Sequence, residues 1–400
     1  MTSPARLIVT ICLAETLSMA AFSAFVTLLP VLVPQFGLSN SEAGLIGGIV
    51  LGGYMVGVAL IGPLTDRVDP RRLYAAAALV AASGALGFSV FARGFWSGLA
   101  CQSLIGVGLA GSYISGMKAL TDRVEGRWQT RAAAWYGATF GIGASVSIVF
   151  CGEAAGAFGW RGAFMAASAG SVLAAAIVMA ALEPSVPRPA ARPALLDFRP
   201  VIRNAAVRPY LLGTAAHSWE LHGTRAWLVA FLTFSAERQG DATGAPASIA
   251  VIAAIIYLFG PAASICGNEL ALRFGRARIM AVGPALSAAL SCVVGFLAGS
   301  PWLALLTLLA VHMFFVTMDA GALTGGVVPA ADPAHRGATI SLHSLTGFGM
   351  GCVSPMVFGV VLDLAGGRGE PMAWGLAFVS LGLVAALGII PARQLARRSQ

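Results

Sequence analysis

Nearly every charge in this chain lies in a short gap between apolar stretches long enough to cross a bilayer. Twelve such runs can be placed, at about 7–33, 43–63, 73–92, 95–118, 132–156, 161–182, 209–235, 247–266, 279–298, 302–325, 337–362 and 372–391. A spanning helix takes roughly 20 mostly apolar residues, so each run reads as one crossing. With 58% hydrophobic and 10% charged residues in 400, the chain has too little polar surface for a soluble globule. The expected fold class is an all-α membrane protein with twelve transmembrane helices in two pseudo-symmetric six-helix halves. The first run is too long for the apolar core of a cleaved leader and no small-residue cleavage site precedes it, so it is expected to stay in the mature protein.

The net charge of +8 is distributed by topology. With the N-terminus cytoplasmic and each run crossing once, the inner connections and both tails hold 20 basic residues, among them Arg6, Lys118, Arg123, Arg127, Arg131, Arg336, Arg393, Arg397 and Arg398. The outer connections keep four: Arg93, Arg161, Arg238 and Arg368. That is a positive-inside bias. It predicts a multi-pass protein of a bacterial inner (plasma) membrane with both termini cytoplasmic, and it argues against a nucleic-acid partner.

The chain also repeats its own plan. Gly62-Pro-Leu-Thr-Asp66-Arg67-Val-Asp-Pro-Arg71-Arg72 returns about 205 residues later as Gly267-Asn-Glu-Leu-Ala-Leu-Arg273-Phe-Gly-Arg276-Ala-Arg278. Arg131-Ala-Ala leading to Phe140-Gly-Ile-Gly143 is matched by Arg336-Gly-Ala leading to Phe348-Gly-Met-Gly351. Two related bundles are what many secondary transporters use to expose one site alternately to either side. The organisation read from this is 1–182 as the first bundle, 183–208 as a proline- and arginine-rich cytoplasmic linker, and 209–400 as the second bundle.

Other patterns reduce to packing. Cys12, Cys101, Cys151, Cys266, Cys292 and Cys352 fall singly inside apolar runs, without metal or disulfide spacing. Gly106-Val-Gly108-Leu-Ala-Gly111 matches the dinucleotide fingerprint in letters but lacks the strand that must precede it. His217-Ser-Trp-Glu220-Leu-His222 spaces its histidines by five residues, which turns them about 140° apart and defeats a zinc-protease reading. No cofactor, metal or enzymatic activity is expected.

The loop after the second run resembles the signature of the major facilitator superfamily, roughly Gly-x-Leu-x-Asp-Arg-x-Gly-Arg-Arg. Gly62, Leu64, Asp66, Arg67, Arg71 and Arg72 fill it, and Asp69-Pro70 stands where that family has glycine. The resemblance implies a monomeric twelve-helix transporter without a cofactor. It also marks Gly62, Asp66, Arg67, Arg71, Arg72 and the echo Arg273 as a conformational latch, in which Asp66 faces the positive N-terminal end of the eleventh helix. The family's fourth helix often carries an arginine tied to proton coupling; here that place is Gln102, ahead of Gly106 and Gly108. The fifth helix has Gly137-Ala-Thr-Phe-Gly141-Ile-Gly143 without the proline of the family's drug antiporters.

Ionisable groups at bilayer depth cost about 2.5–3.5 kcal/mol on insertion scales and are functional candidates. The seventh run holds most of them. On a wheel of about 100° per residue, His217, Glu220 and Arg225 span about 140° and can face one cavity. Arg225 is the expected anchor for an anionic group, because its planar fork matches a carboxylate. Trp219, His222 and Tyr113 are the expected substrate-binding companions. Glu220, His217, Glu15 and Asp319 are the expected proton carriers. The function expected from this set is a secondary active transporter working by alternating access and coupled to protons, moving a small organic, anionic solute. The alternative is proton-driven efflux of drugs or other hydrophobic or cationic compounds.

Overall fold

The computed structural model describes residues 4–185, 198–240 and 248–397, and these form helices joined by turns. Among the described residues ten helices are long and apolar enough to cross a membrane: α1 (Pro4–Phe36), α2 (Asn40–Leu64), α3 (Pro70–Phe91), α4 (Phe95–Thr121), a long helix, and then α8 (Ile249–Phe274), α9 (Arg276–Leu297), α10 (Trp302–Ala330), α11 (Pro333–Leu364) and α12 (Pro371–Ala396). The long helix, Arg127–Ala181, turns at Gly159, whose φ of 70° lies in the left-handed region that favours glycine. Its arms, α5 (127–158) and α6 (160–181), are each of spanning length. The remaining span, α7 (Arg208–Arg238), has 31 residues and falls outside the ten because its middle is polar. The helices therefore correspond one for one to the apolar runs of the sequence.

Local chemistry sets several ends. Asp69 caps α3 by accepting from the Arg71 N–H at 3.0 Å, and Pro70 occupies the first helical position, where its missing N–H costs nothing. The Asp69-Pro70 departure from the family signature is thus a helix start.

By contacts the chain divides into two units, one of Met1–Leu38 with Ile49–Ala191 and one of Ser39–Gly48 with Arg192–Gln400. The first turns of α2 therefore belong with the second unit. There Asp363 of α11 accepts from the Asn40 N–H (2.9 Å), the Asn40 side-chain amide (2.7 Å) and the Ser41 N–H (2.8 Å), a carboxylate seated on a helix N-terminus. Of the linker expected at 183–208, Arg199–Arg203 forms a short helix, while 186–197 lie outside the described residues.

Inside the first unit, α1 is interrupted at Met19–Ala21 by a 3-10 turn. Hydroxyls of α5 and α1 compensate: Ser147 donates to the Ala20 carbonyl at 2.7 Å and accepts from the Ser23 N–H at 3.0 Å, and Ser23 donates to the Ala144 carbonyl at 3.1 Å. An unpaired backbone group in lipid would cost several kcal/mol. Inside the second unit, Trp227, Phe231, Phe358, Trp374 and Phe378 form one aromatic cluster, with Trp227 stacked on Phe358 at 5.4 Å and edge-on to Trp374 at 6.1 Å. The Trp227 indole N–H donates to the Pro355 carbonyl at 2.9 Å. These contacts fix α7 two residues beyond Arg225.

Candidate functional site

The charges in the polar middle of α7 differ in how they are compensated. Glu220, 2% exposed, accepts from the Ser287 hydroxyl at 2.6 Å and the Ser291 hydroxyl at 2.8 Å, and His312 Nε2 lies 3.4 Å from its second oxygen. Ser287 and Ser291 are one helical turn apart on α9 and His312 is on α10, so both carboxylate oxygens are occupied by neighbouring helices. His217 Nδ1 stands 2.8 Å from Asp319 Oδ1. With Asp319 ionised, its carboxylate can only accept, and that bond takes the proton on Nδ1. Asp319 sits where α10 breaks between its segments Trp302–Met318 and Ala320–Ala330. Interrupted helices are where transporter folds place polar sites. The wheel grouped His217 with Glu220; the structure instead gives each of them a partner on α10.

Arg225 is different. Its guanidinium lies over the Tyr257 ring at 4.9 Å, and the Tyr257 hydroxyl donates to the Arg225 backbone carbonyl. Gly260, one turn along α8, leaves room for it: a methyl there would lie 3.2 Å from Arg225 Nη2. Arg225 Nε is buried without a hydrogen-bond partner, and no carboxylate of the described residues forms an ion pair with this side chain. Trp219, His222 and Arg225 follow one another at three-residue spacing on α7, each partly exposed. The Trp219 indole nitrogen is buried without a partner, while its backbone carbonyl accepts from Ser354 at 2.5 Å. His343, on α11, meets Thr214 at 3.1 Å.

The first unit has a single buried carboxyl among its described residues, Glu15. It accepts from the Tyr136 hydroxyl at 2.9 Å and from Ser112 at 3.4 Å. Tyr113 packs beside it, 5.1 Å from the Tyr136 ring and 5.8 Å from Phe140. Gln102 is 1% exposed, with its amide nitrogen unpartnered.

Of the signature residues, Gly62 opens the short turn Gly62–Leu64, and its carbonyl accepts from the Thr65 hydroxyl at 2.7 Å. Asp66 lies 3.8 Å from Lys118, which also meets Asp122 at 3.1 Å. Arg71 donates to the Leu182 carbonyl at 2.7 Å and Arg123 to the Glu183 carbonyl at 2.8 Å, so both close the end of α6. Arg67, Arg72 and Arg273 are exposed. Tyr257, Gly260, Ser287 and Ser291 escaped the sequence reading. Their one available signal is helical spacing, three residues for the first pair and four for the second.

Among the described residues no group of three or more His, Cys, Asp or Glu is placed to hold a metal ion. The family model of the Major Facilitator Superfamily matches residues 11–240, more than half of the chain. The chain belongs to the major facilitator superfamily. It is accordingly a multi-pass membrane protein, and its solved structural relatives agree along their whole length. A bacterial homolog of the human lysosomal transporter Spinster, inward-facing and unoccupied, superposes with a TM-score of 0.81 at 16% identity, covering 99% of each chain. The nucleoside transporter NupG gives 0.76 at 14% identity, covering 98% of this chain and 99% of that one. In sequence, this superfamily member is 33% identical over 130 residues to the uncharacterized MFS-type transporter YcaD of Escherichia fergusonii, which is 32% of this chain and 33% of that one. Against YcaD of Salmonella arizonae the figures are 31% over 109 residues, 27% and 28%. The chain thus spans about a third of the curated relatives it matches.

Proposed function

We propose that this protein is a secondary transporter, working by alternating access in a bacterial inner membrane, that moves a small organic anion together with protons. The observation that supports the anion is the uncompensated guanidinium of Arg225. Each buried carboxyl of the second unit already has its own partners, Glu220 on Ser287, Ser291 and His312 and Asp319 on His217. Arg225 has a ring beneath it and an empty donor edge. An isolated cation at that depth is costly, and a solute carboxylate bound through the fork would relieve the cost. The Tyr257 ring holds the plane of the fork, and Trp219 and His222 supply an apolar wall and a further polar contact.

His217 with Asp319 is the proton carrier of this reading. Histidine changes charge within the physiological range, and its bond to Asp319 stabilises the imidazolium. A proton taken up there turns a lone carboxylate into a neutral pair. Only binding and release are required, with no covalent step. Efflux of a cation through Glu15 is the weaker reading, because Tyr136 and Ser112 already engage both of its oxygens.

The test is uptake of a panel of radiolabelled small carboxylates into proteoliposomes with an imposed proton gradient. Arg225→Ala should abolish uptake while the protein stays folded by gel filtration. Arg225→Lys should retain binding at about tenfold lower affinity, a point charge replacing a two-bond fork. Undiminished uptake of every transported anion by Arg225→Ala would remove the anchor.

A further inference from the structure

The arginine of the repeat that has no hydrogen-bond or ion-pair partner among the described residues points to a second anion site, away from α7's polar middle. Arg71 and Arg276 occupy the same place in the two copies of the loop, 205 residues apart. In the first unit Arg71 donates one terminal nitrogen to the Leu182 carbonyl at the end of α6, while its Nε, like that of Arg276, is buried without a hydrogen-bond partner. In the second unit α12 carries on through Ile389–Ala396 past the corresponding position. Arg276 there has a buried Nε with no hydrogen-bond partner.

Around Arg276 lies a cavity of about 650 Å³, whose lining includes Tyr210, Leu272, Phe274, Arg276, Arg278 and Arg393. No acidic side chain lines it. None of the three arginines forms an ion pair with a described residue. The first turn of α9 adds the positive end of a helix that runs on to Val294. Three guanidiniums, a helix N-terminus and an unused buried donor converge on one hollow, and a tetrahedral oxyanion with several acceptor oxygens matches that donor set. The walls say how the anion is presented. Leu272 is 61% exposed and Phe274 57% exposed, and they line the same pocket as the partly buried Arg276 and the exposed Arg278 and Arg393. A free ion would gain nothing from these apolar side chains, whereas the glycerol and first methylenes of a lipid would cover them.

We propose that this cavity binds a phosphate group, presented by the headgroup of an anionic phospholipid. Basic pockets between membrane helices suit such headgroups, and the site is independent of whichever solute the protein carries.

The test is a titration of the purified full-length protein in neutral detergent with short-chain phosphatidylglycerol, read by native mass spectrometry and by thermal unfolding. Parallel arms use short-chain phosphatidylcholine and inorganic phosphate. The expected result is saturable binding of phosphatidylglycerol, weakened about fivefold by each of Arg276→Gln, Arg278→Gln and Arg393→Gln. Binding to phosphatidylcholine and to inorganic phosphate should be at least about tenfold weaker. Binding of inorganic phosphate as tight as that of phosphatidylglycerol would assign the site to a free anion and overturn the lipid. Unchanged phosphatidylglycerol binding by the triple variant would overturn the site. Arg276→Lys keeps the charge and controls for folding: it should restore most of the affinity lost in Arg276→Gln. Since no solute enters the assay, failure here and failure of the anion-transport reading are separable.

Discussion

The two units solve the same problem, polar groups inside a membrane helix bundle, in opposite ways. The described interior of the first unit is neutral apart from Glu15, and its other buried polar groups are almost all hydroxyls, such as Ser18, Ser112, Ser147 and Ser171. Many of them mend backbone, as Ser147 does at the break in α1. In the second unit Glu220, Asp319 and His312 are buried ionisable groups, and His217 and Arg225 beside them are partly buried. Hydroxyls cost little and do little beyond holding helices together. Buried charge has to be compensated by something. In the second unit four of the five groups compensate one another, and the fifth, Arg225, has no ion-pair partner among the described residues, which is what the proposed anion site rests on. The difference teaches that solute and proton handling should concentrate in the second unit, with the first contributing shape and an aromatic surface around Tyr113.

Removing the coupling pair is the hardest blow to that contrast short of removing Arg225 itself. Asp319→Asn keeps the size of the side chain at the α10 break but no longer stabilises a charged His217. Uptake driven by a proton gradient should fall by more than about tenfold, while exchange of labelled for unlabelled solute at equal pH on both sides continues. Loss of exchange as well would make Asp319 part of the solute site and dissolve the separation between proton and anion.

A smaller effect is expected at Glu220, and of another kind. Because its oxygens face Ser287, Ser291 and His312 and not a cavity, it should matter for stability more than for transport. Glu220→Leu leaves His312 and two hydroxyls without their acceptor and should cost about 3–5 kcal/mol, the scale for breaking a buried pair. Glu220→Gln keeps one acceptor and should cost nearer 1 kcal/mol, in line with interhelical hydrogen bonds in membranes. Unfolding midpoints in a denaturing detergent would measure both, alongside uptake by the glutamine variant. A transport defect in Glu220→Gln at unchanged stability would return Glu220 to the proton path.

This division of labour within α7 was half legible in the sequence. The twelve spans could be read because lipid demands long apolar runs, and the loop signature could be read because its charges sit at fixed spacing. The burden of charge on α7 was equally plain. What a wheel cannot supply is the neighbour. It orders His217, Glu220 and Arg225 around one axis, but the helix that each side chain meets depends on packing between residues 32 to 102 positions apart. The partners that settle the matter, Ser287, Ser291, Tyr257 and Gly260, belong to residue types common in any membrane helix, so nothing marks them until α8 and α9 are set against α7. Asp69-Pro70 is the reverse case: the departure from the family pattern was visible, and its cause, a capped helix start, is local enough to follow from residue chemistry alone.

The smallest effect tests the neutral half of the comparison. Glu15 lies among Tyr136, Ser112 and Tyr113 with no cationic partner among the described residues, so a neutral amide of the same shape can take over its hydrogen bonds. Glu15→Gln should therefore leave exchange intact and reduce gradient-driven uptake by only about twofold, measured in the same proteoliposomes as Asp319→Asn. Tyr136→Phe serves as the companion variant, since it removes the shorter of the two bonds without touching the carboxyl. Should Glu15→Gln uncouple as completely as Asp319→Asn, both units handle protons, and the hydroxyl-lined interior of the first would be a proton path with Tyr136 and Ser112 as its relay. If the glutamine variant behaves like the native protein while Tyr136→Phe loses stability, the bond is mechanical, and the first unit is the scaffold against which the charged one does its chemistry.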